Sequence, residues 1–450
     1  MILNEPRDIL GEIPFLHKLY TQISFCYPVP SSTIYSNIIS TLTAGLERLS
    51  TSFPWLAGQV VQLDNGDYRI TPLEQTPRLT IKDLREDLSV PTWATLKEAD
   101  FPMKMLDESV ICPRSTLSDS TAKDAPVMLV QVNWLQGGMI LSILAQHDTM
   151  DMTGQAHVIS LLSKACRGDA FTEEEVTIGN PDRQAIIPLL DSSYTPGPEL
   201  ANQLILPNSA GTLTSDEPTD PISCTWSNFS FSPSSLSTLK STATTSLSKN
   251  TPYITTDDAL TAFIWQSILR ARSSRLRSDS TIRFARAVDA RRYLNVPDTY
   301  PGLLQNMTYH SYPLSDLLSM PLGEISAALR SAVDPKVSDI AFRTRALATY
   351  LSQPSSESKA SVSMTARLNL SSDVTLSSWA KFECYGYDFE FGLGKPEAVR
   401  RPKFYPVEGL LYLLPKRGDG EIVASFCLRD EDLEKLKGDG EWCQFARYIG

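Results

Sequence analysis

The chemistry this sequence offers most clearly lies in Gln146-His147-Asp148-Thr149-Met150-Asp151, where an imidazole and a carboxylate stand four residues apart. Imidazole is the side chain whose ordinary pKa suits a general base near neutral pH. The chain has only four histidines, His17, His147, His157 and His310, so few other groups can fill that role. The spacing H-x-x-x-D is short enough to arise by chance, and a single histidine is more often structural than catalytic. Asp151 has two readings: a carboxylate that fixes the turn aiming His147, or a cap for a helix that follows.

The flanking elements give the motif its weight. Val127–Trp134 is apolar and rich in strand-forming residues, Gly137-Gly138 marks a turn, and Met139–Ala145 is a second apolar run. Beyond the motif, Gly154–Arg167 has helical periodicity, with Val158, Ile159, Leu161, Leu162 and Ala165 on one side and Gly168 as its stop. His147 is therefore expected where a buried strand ends and a helix begins. A rigid backbone there can project a side chain into a cleft.

A second motif lies far downstream, Asp388-Phe389-Glu390-Phe391-Gly392-Leu393-Gly394-Lys395-Pro396. It lacks the G-x-x-x-x-G-K-[ST] spacing of a phosphate loop, because Pro396 stands where a hydroxyl is required. Phe53-Pro54-Trp55-Leu56-Ala57-Gly58, Thr256-Asp257-Asp258-Ala259 through Trp265, Val288-Asp289-Ala290-Arg291 and Ser377-Ser378-Trp379 complete an ordered set. Together these segments resemble the BAHD family of acyl-CoA-dependent acyltransferases over nearly the whole chain. Within it, Tyr300–His310, Leu161–Arg167 and the D-F-x-x-G-L-G-K-P form resemble the fungal trichothecene 3-O-acetyltransferases.

The resemblance implies an α/β fold of two chloramphenicol acetyltransferase-like domains, with mixed sheets and an active-site tunnel between them. The expected division is residues 1–187 and 222–450, joined by a Pro-, Ser- and Thr-rich crossover at 188–221, with roughly 361–381 packing back against the first domain. It implies direct acyl transfer, most simply acetyl, from acyl-CoA to a hydroxyl, with His147 as base and Asp151 beside it. The resemblance places the oxyanion donor in the Ser377-Ser378-Trp379 segment, with the Trp379 indole N–H as one candidate and a core tryptophan on a strand as the other reading of that residue. Lys240, Ser241, Ser377, Ser378, Arg400 and Arg401 are the expected contacts to coenzyme A, since Lys and Arg meet phosphate through charge-assisted bonds. Asp388 is expected to form a structural pair with Arg291, although Glu390 overlays the family's shorter motif equally well. Acetyl-CoA would be a cosubstrate, with no permanently bound cofactor, and the acceptor a hydroxylated small molecule, a trichothecene-like sesquiterpenoid before a polyketide or alkaloid.

Composition agrees with that reading. At 450 residues two domains are the default, and 42% hydrophobic residues supply cores for both. A net charge of −11 argues against nucleic acid as a partner. Seven scattered cysteines without C-x-x-C indicate reduced thiols, and with four dispersed histidines they make no metal pattern. The opening residues lack the basic and apolar regions of a secretory signal, and no run is long enough to span a bilayer. A cytoplasmic monomer is the expectation. The absence of G-x-S-x-G, and of a cysteine beside a histidine, favours direct transfer over an acyl-enzyme.

Two other classes share the motif. Condensation domains of peptide synthetases use carrier-bound thioesters, and usually have a His before the motif and a Gly after its Asp. Here those positions are Gln146 and Met152. A catalytically dead binding protein would be expected to lose His147. Elsewhere, residues 32–50 have the period of an amphipathic helix and Gln59–Ile70 that of a hairpin turning at Asn65-Gly66. Cys224–Phe231 alternates as a strand, Thr255–Arg272 is helical, Leu410–Leu414 with Ile422–Leu428 forms a late hairpin, and Ser352–Lys359 is expected to be a surface loop.

Overall fold

The computed structural model describes residues 3–30, 34–74, 78–117, 124–205, 223–247, 253–353 and 361–450. The first half is organised on a five-stranded sheet in the spatial order Ala398–Arg400, Tyr20–Pro28, Gly138–Gln146, Met128–Leu135, Leu79–Asp83. Its central strands are buried along nearly their whole length, which is why they read as continuous apolar runs. Successive side chains still divide between two faces. Ile23, Phe25, Val130, Val132, Leu141 and Ile143 pack in one core that includes the helices Tyr35–Ser52 and Met152–Cys166. Cys26, Leu129, Ile140 and Leu144 pack on the other face with Trp93 and Leu96.

The second half carries a seven-stranded mixed sheet in the order Gln305–Pro313, Thr281–Asp289, Val374–Ser378, Leu410–Leu413, Ile422–Arg429, Cys224–Phe231, Ala446–Tyr448. The helix Thr256–Arg272 lies on it, buried for most of its circumference, and brings Phe263 and Trp265 into a core with Trp442, Phe229 and Phe284. A third cluster joins the halves: Ile9, Leu10 and Ile13 of the N-terminal segment meet Tyr300, Leu303, Leu304 and the helix Ile340–Leu351.

The segment that returns to the first half is not the expected one. Val374–Ser378 lies inside the second sheet, parallel to both Thr281–Asp289 and Leu410–Leu413. The chain crosses later. Ala398–Arg400 pairs antiparallel with Tyr20–Pro28, Val399 opposite Phe25, and Cys384, Tyr385, Phe389, Phe391 and Phe404 belong to the first core. The reason lies in the two sides of the segment. Val374–Ser378 completes hydrogen-bond ladders on both edges, whereas the aromatic run after it has no sheet position and buries its rings on the first sheet instead.

Residues 206–221 of the 188–221 crossover fall outside the described residues, as do residues 354–359 of the surface loop expected at 352–359. The described part of the crossover is held by Leu200 in the third cluster and by a bridge from Leu204 to Val362. Among the described residues, no helix is long and apolar enough to cross a membrane.

Candidate active site

His147 stands where the strand Gly138–Gln146 ends, two hydrogen bonds from a fixed frame. Its backbone N–H donates to the Leu19 carbonyl at 2.8 Å, and the Thr149 N–H closes a turn on the Gln146 carbonyl at 3.1 Å. The imidazole Nδ1 lies 3.2 Å from the Met150 carbonyl oxygen. A carbonyl only accepts, so Nδ1 carries the proton and the Nε2 lone pair is left for chemistry. Burial lowers the pKa of the ring, opposed by the Met150 carbonyl and by the carboxylates of Asp151 and Asp148. Desolvation prevails, and the ring is neutral at pH 7 while part of its surface stays accessible.

Asp151 turns away from His147. Its Oδ1 accepts the Gly154 N–H at 2.8 Å and so caps the helix Met152–Cys166. Both of its oxygens also meet Arg291, at 2.9 and 3.0 Å, and Oδ2 accepts the Leu304 N–H at 2.7 Å. Arg291 is fully buried and donates in addition to Asp289 and to the carbonyls of Tyr300 and Gly302. This knot ties the base loop to the far half of the chain. Gly154 admits it: a Cβ there would stand 2.1 Å from the Pro301 carbonyl oxygen.

The expected Asp388–Arg291 pair does not form, nor does one with Glu390. Asp388 is exposed, and its carboxylate accepts the Glu390 N–H in a local turn. The Asp388 carbonyl accepts from Ser163 Oγ at 2.7 Å and Arg167 at 3.0 Å, which pins the motif to the helix behind His147. Phe389 and Phe391 stack on each other and set edges on Phe25 and Tyr27. The motif is an anchor of the crossing segment. Asp388→Ala is accordingly expected to cost no more than about 1 kcal/mol in thermal unfolding, the ordinary size for an exposed hydrogen-bonding carboxylate.

A cavity of about 1280 Å³ opens between the halves. Its wall runs from Asp151, Met152 and Thr153, the first turn after the base loop, past Ser377, Ser378 and Trp379 to the helix Pro233–Thr245. Three expected coenzyme contacts, Lys240, Ser377 and Ser378, lie on it. Ser241 does not; it is exposed on the outer side of its helix. Arg400 and Arg401 are buried structural cations. Arg400 donates to the carbonyls of Phe101 and Asp100 and to Tyr385. Arg401 reaches the Gln22 carbonyl and Thr116, with its guanidinium over the rings of Phe404 and Tyr412. An adjacent arginine pair signals phosphate in a sequence only when it is exposed, and burial among carbonyls leaves no mark there.

Other cations line the cavity that sequence reasoning did not single out: Arg286, Arg292, Arg330, Lys381 and Lys416. Arg286 is engaged with Asp258 at 3.2 Å and Lys381 with Asp289 at 3.0 Å. Lys240 and Lys416 are exposed and make no ion pair among the described residues. Trp379 is buried, and its indole N–H donates to Ser377 Oγ at 3.0 Å. That bond occupies the indole N–H, and the Ser377 that accepts it lies on the cavity wall. Ser378 Oγ donates to Asp257 at 2.7 Å.

A neutral imidazole whose loop reaches the wall of the cavity at Asp151, and lysines without ion pairs on that wall, are the arrangement of a two-domain acyltransferase. The chain belongs to the Transferase family, the BAHD acyl-CoA-dependent acyltransferases, whose model matches residues 93–443. A model described as the trichothecene 3-O-acetyltransferase-like N-terminal domain matches residues 19–166. The chain is 50% identical to the trichothecene 3-O-acetyltransferase TRI101 of Fusarium sporotrichioides, over 98% of this chain and 96% of that protein. It is 46% identical to the O-acetyltransferase dmxR13 of a Cryptosporiopsis species, over 98% and 97%. Among solved structures, TRI101 of F. graminearum with coenzyme A and deoxynivalenol superposes with a TM-score of 0.93 at 47% identity, covering both chains completely. Vinorine synthase, at 14% identity and a TM-score of 0.67, shares the fold. The protein is an acyl-CoA-dependent O-acetyltransferase.

Proposed function

We propose that this enzyme acetylates a hydroxyl of a trichothecene-like sesquiterpenoid, with His147 as general base in a direct transfer from acetyl-CoA. The observation that carries the mechanism is the Nδ1–H bond to the Met150 carbonyl, which leaves the Nε2 lone pair to take the acceptor's proton. The alkoxide oxygen then attacks the thioester carbonyl, and the coenzyme leaves as thiolate. Ser377 is the proposed donor to the developing oxyanion. Asp151 holds the loop rather than relaying a proton, because its oxygens are taken by Arg291, Gly154 and Leu304. Covalent catalysis by cysteine is disfavoured: burial pushes the thiols of Cys26, Cys166, Cys384 and Cys427 up to about 12.

The acceptor class rests on relatives. TRI101 of F. sporotrichioides has been solved with coenzyme A and T-2, and that of F. graminearum with coenzyme A and deoxynivalenol. Supplying acetyl-CoA with T-2, deoxynivalenol and hydroxylated polyketides tests the reading, with free thiol and ester measured together. Equal amounts of both with the sesquiterpenoids alone are expected; turnover of only the polyketides would overturn it. A cytoplasmic monomer is the proposed working form.

Lys240 and Lys416 are the proposed phosphate contacts. Lys240→Ala and Lys416→Ala should each raise KM for acetyl-CoA roughly 5–20-fold, the size of a lost charge-assisted bond, with kcat nearly unchanged. Initial rates over a range of acetyl-CoA concentrations check this. Since burial lowers the His147 pKa, kcat/KM should be level from pH 7 upward and fall only below the ordinary imidazole value of about 6.5, as the base takes up a proton.

A further inference from the structure

The N-terminal segment holds the base loop at three points, through residues that do not line the cavity. The guanidinium of Arg7 pairs with the carboxylate of Asp148, the residue next to the base, and both side chains are at most 2% exposed. Gly11 lies against the same residue's backbone, where a Cβ would come within 2.3 Å of the Asp148 carbonyl oxygen. Arg183 donates to the Thr149 carbonyl at 3.2 Å and to Asp8 of the segment at 2.7 Å. Arg7 is itself fixed from all sides. It donates to Glu12 at 2.9 Å, lies 4.1 Å from the centre of the Tyr68 ring, and its carbonyl accepts from Gln184.

This is an expensive way to fill space. Arg7 Nε and Asp148 Oδ1 are buried without partners, so the pair retains part of its desolvation cost. An apolar pair of similar volume would pack without that cost. What the ion pair adds is a directional tether one residue from the imidazole, and a dipole whose negative end is nearest to it.

We propose that Arg7 is a positioning residue for the acetyl-transfer reaction, acting through Asp148 to set the placement of the His147 ring and its proton affinity. This rests on the reading of His147 as base. The charged groups around the ring are Asp148 and Asp151, then Arg7, Glu12, Asp8 and Arg183 behind the first, and Arg291 and Asp289 behind the second. Each of these others is paired, so changing one member of the Arg7–Asp148 couple alters the field at the ring in a predictable sense.

The test combines pH profiles with direct titration of His147, followed through histidine labelled with ¹³C at Cε1. With four histidines the signals are few, and His147→Asn identifies the one that matters. Asp148→Asn removes a negative charge and should move both the ring titration and the acid limb of kcat/KM down by about half a unit or more. Burial already pushes the Asp148 carboxyl up, so in Arg7→Met it loses its cation and takes up a proton, and both should move down as in Asp148→Asn. Arg7→Lys keeps the charge but loses the two-pronged grip; its limb should stay in place while kcat falls roughly 10-fold with KM for acetyl-CoA unchanged. Gly11→Ala should likewise lower kcat at an unchanged limb.

Should the charge-unbalanced variants fail to fold, the double variant Arg7→Met with Asp148→Leu removes both charges at once. It should fold, titrate near the wild-type pH and lose kcat roughly 10-fold. Wild-type kcat in that double variant, or a ring titration unmoved in folded Asp148→Asn, overturns the proposal. If instead the ring titration moves and the acid limb does not, the tether stands and the assignment of His147 as base falls.

Discussion

His147→Ala is expected to lower turnover by roughly 100-fold or more, the range for a lost general base, while coenzyme A binding stays within about twofold of wild type. The separation follows from the geometry. The ring makes one bond, through Nδ1 to the Met150 carbonyl, so the variant loses on the order of 1 kcal/mol of stability at most. The coenzyme's proposed phosphate contacts, Lys240 and Lys416, lie elsewhere on the cavity wall. Thiol release at saturating substrates, calorimetric binding of coenzyme A and thermal unfolding would be measured together. A variant that keeps a third of the wild-type rate would remove His147 from the mechanism. A variant whose rate loss matches a loss of folded protein would give it a structural role instead.

The second large effect falls on Arg291. Removing it leaves the buried Asp151 carboxylate without its cation, while Asp289 keeps only Lys381, so Arg291→Ala should destabilise the protein by about 3–5 kcal/mol. Burial works against the charge of Asp289, but Arg291 and Lys381 hold its carboxyl down to about 2. A group depressed in the folded state adds stability above its unfolded pKa, and that stability is lost as pH falls through the folded one. Wild type should therefore keep this contribution down to about pH 4 and shed it between about 4 and 2, whereas Arg291→Ala should begin to unfold at higher pH. Asp151→Asn should lose rate and stability in step across temperature, because its carboxylate is both cap and tie. In a double-mutant cycle Asp151 and Arg291 should couple strongly, and Asp388 and Arg291 not at all. Coupling of Asp388 to Arg291 would contradict the geometry described above.

How far these features were legible in the sequence depended on whether a local pattern or a distant partner decided them. Regular elements came through because period and punctuation are local. The helix expected at Gly154–Arg167 spans Met152–Cys166, and Gly168 stands beyond its end with a positive φ of 81°. Cys224–Phe231 is a strand as expected, and Asn65-Gly66 turns the hairpin. Asp151 as helix cap was also readable, because a cap needs nothing more than three residues of its own chain. The partner of Arg291 was not. An arginine in V-D-x-R has many carboxylates to choose from, and which one it meets is fixed by Gly154 and the Tyr300–Gly302 loop, far away in sequence. Arg400 and Arg401 failed for the same reason: most of their acceptors are backbone carbonyls, which every residue has, and the hydroxyls of Tyr385 and Thr116 are brought to them by the fold.

The strand Ala398–Arg400, lent by the second half of the chain to the edge of the first sheet, makes the molecule an interlocked object. Its halves cannot swing apart as two bodies on a hinge, because the first holds a strand of the second. Traffic through the cavity must then come from breathing of its walls. A break engineered between Ile205 and Ser223 should likewise yield two fragments that co-purify and remain active, since the chain between those residues is not what keeps the halves together. Fragments that separate on gel filtration would show that the lent strand is too weak a clasp.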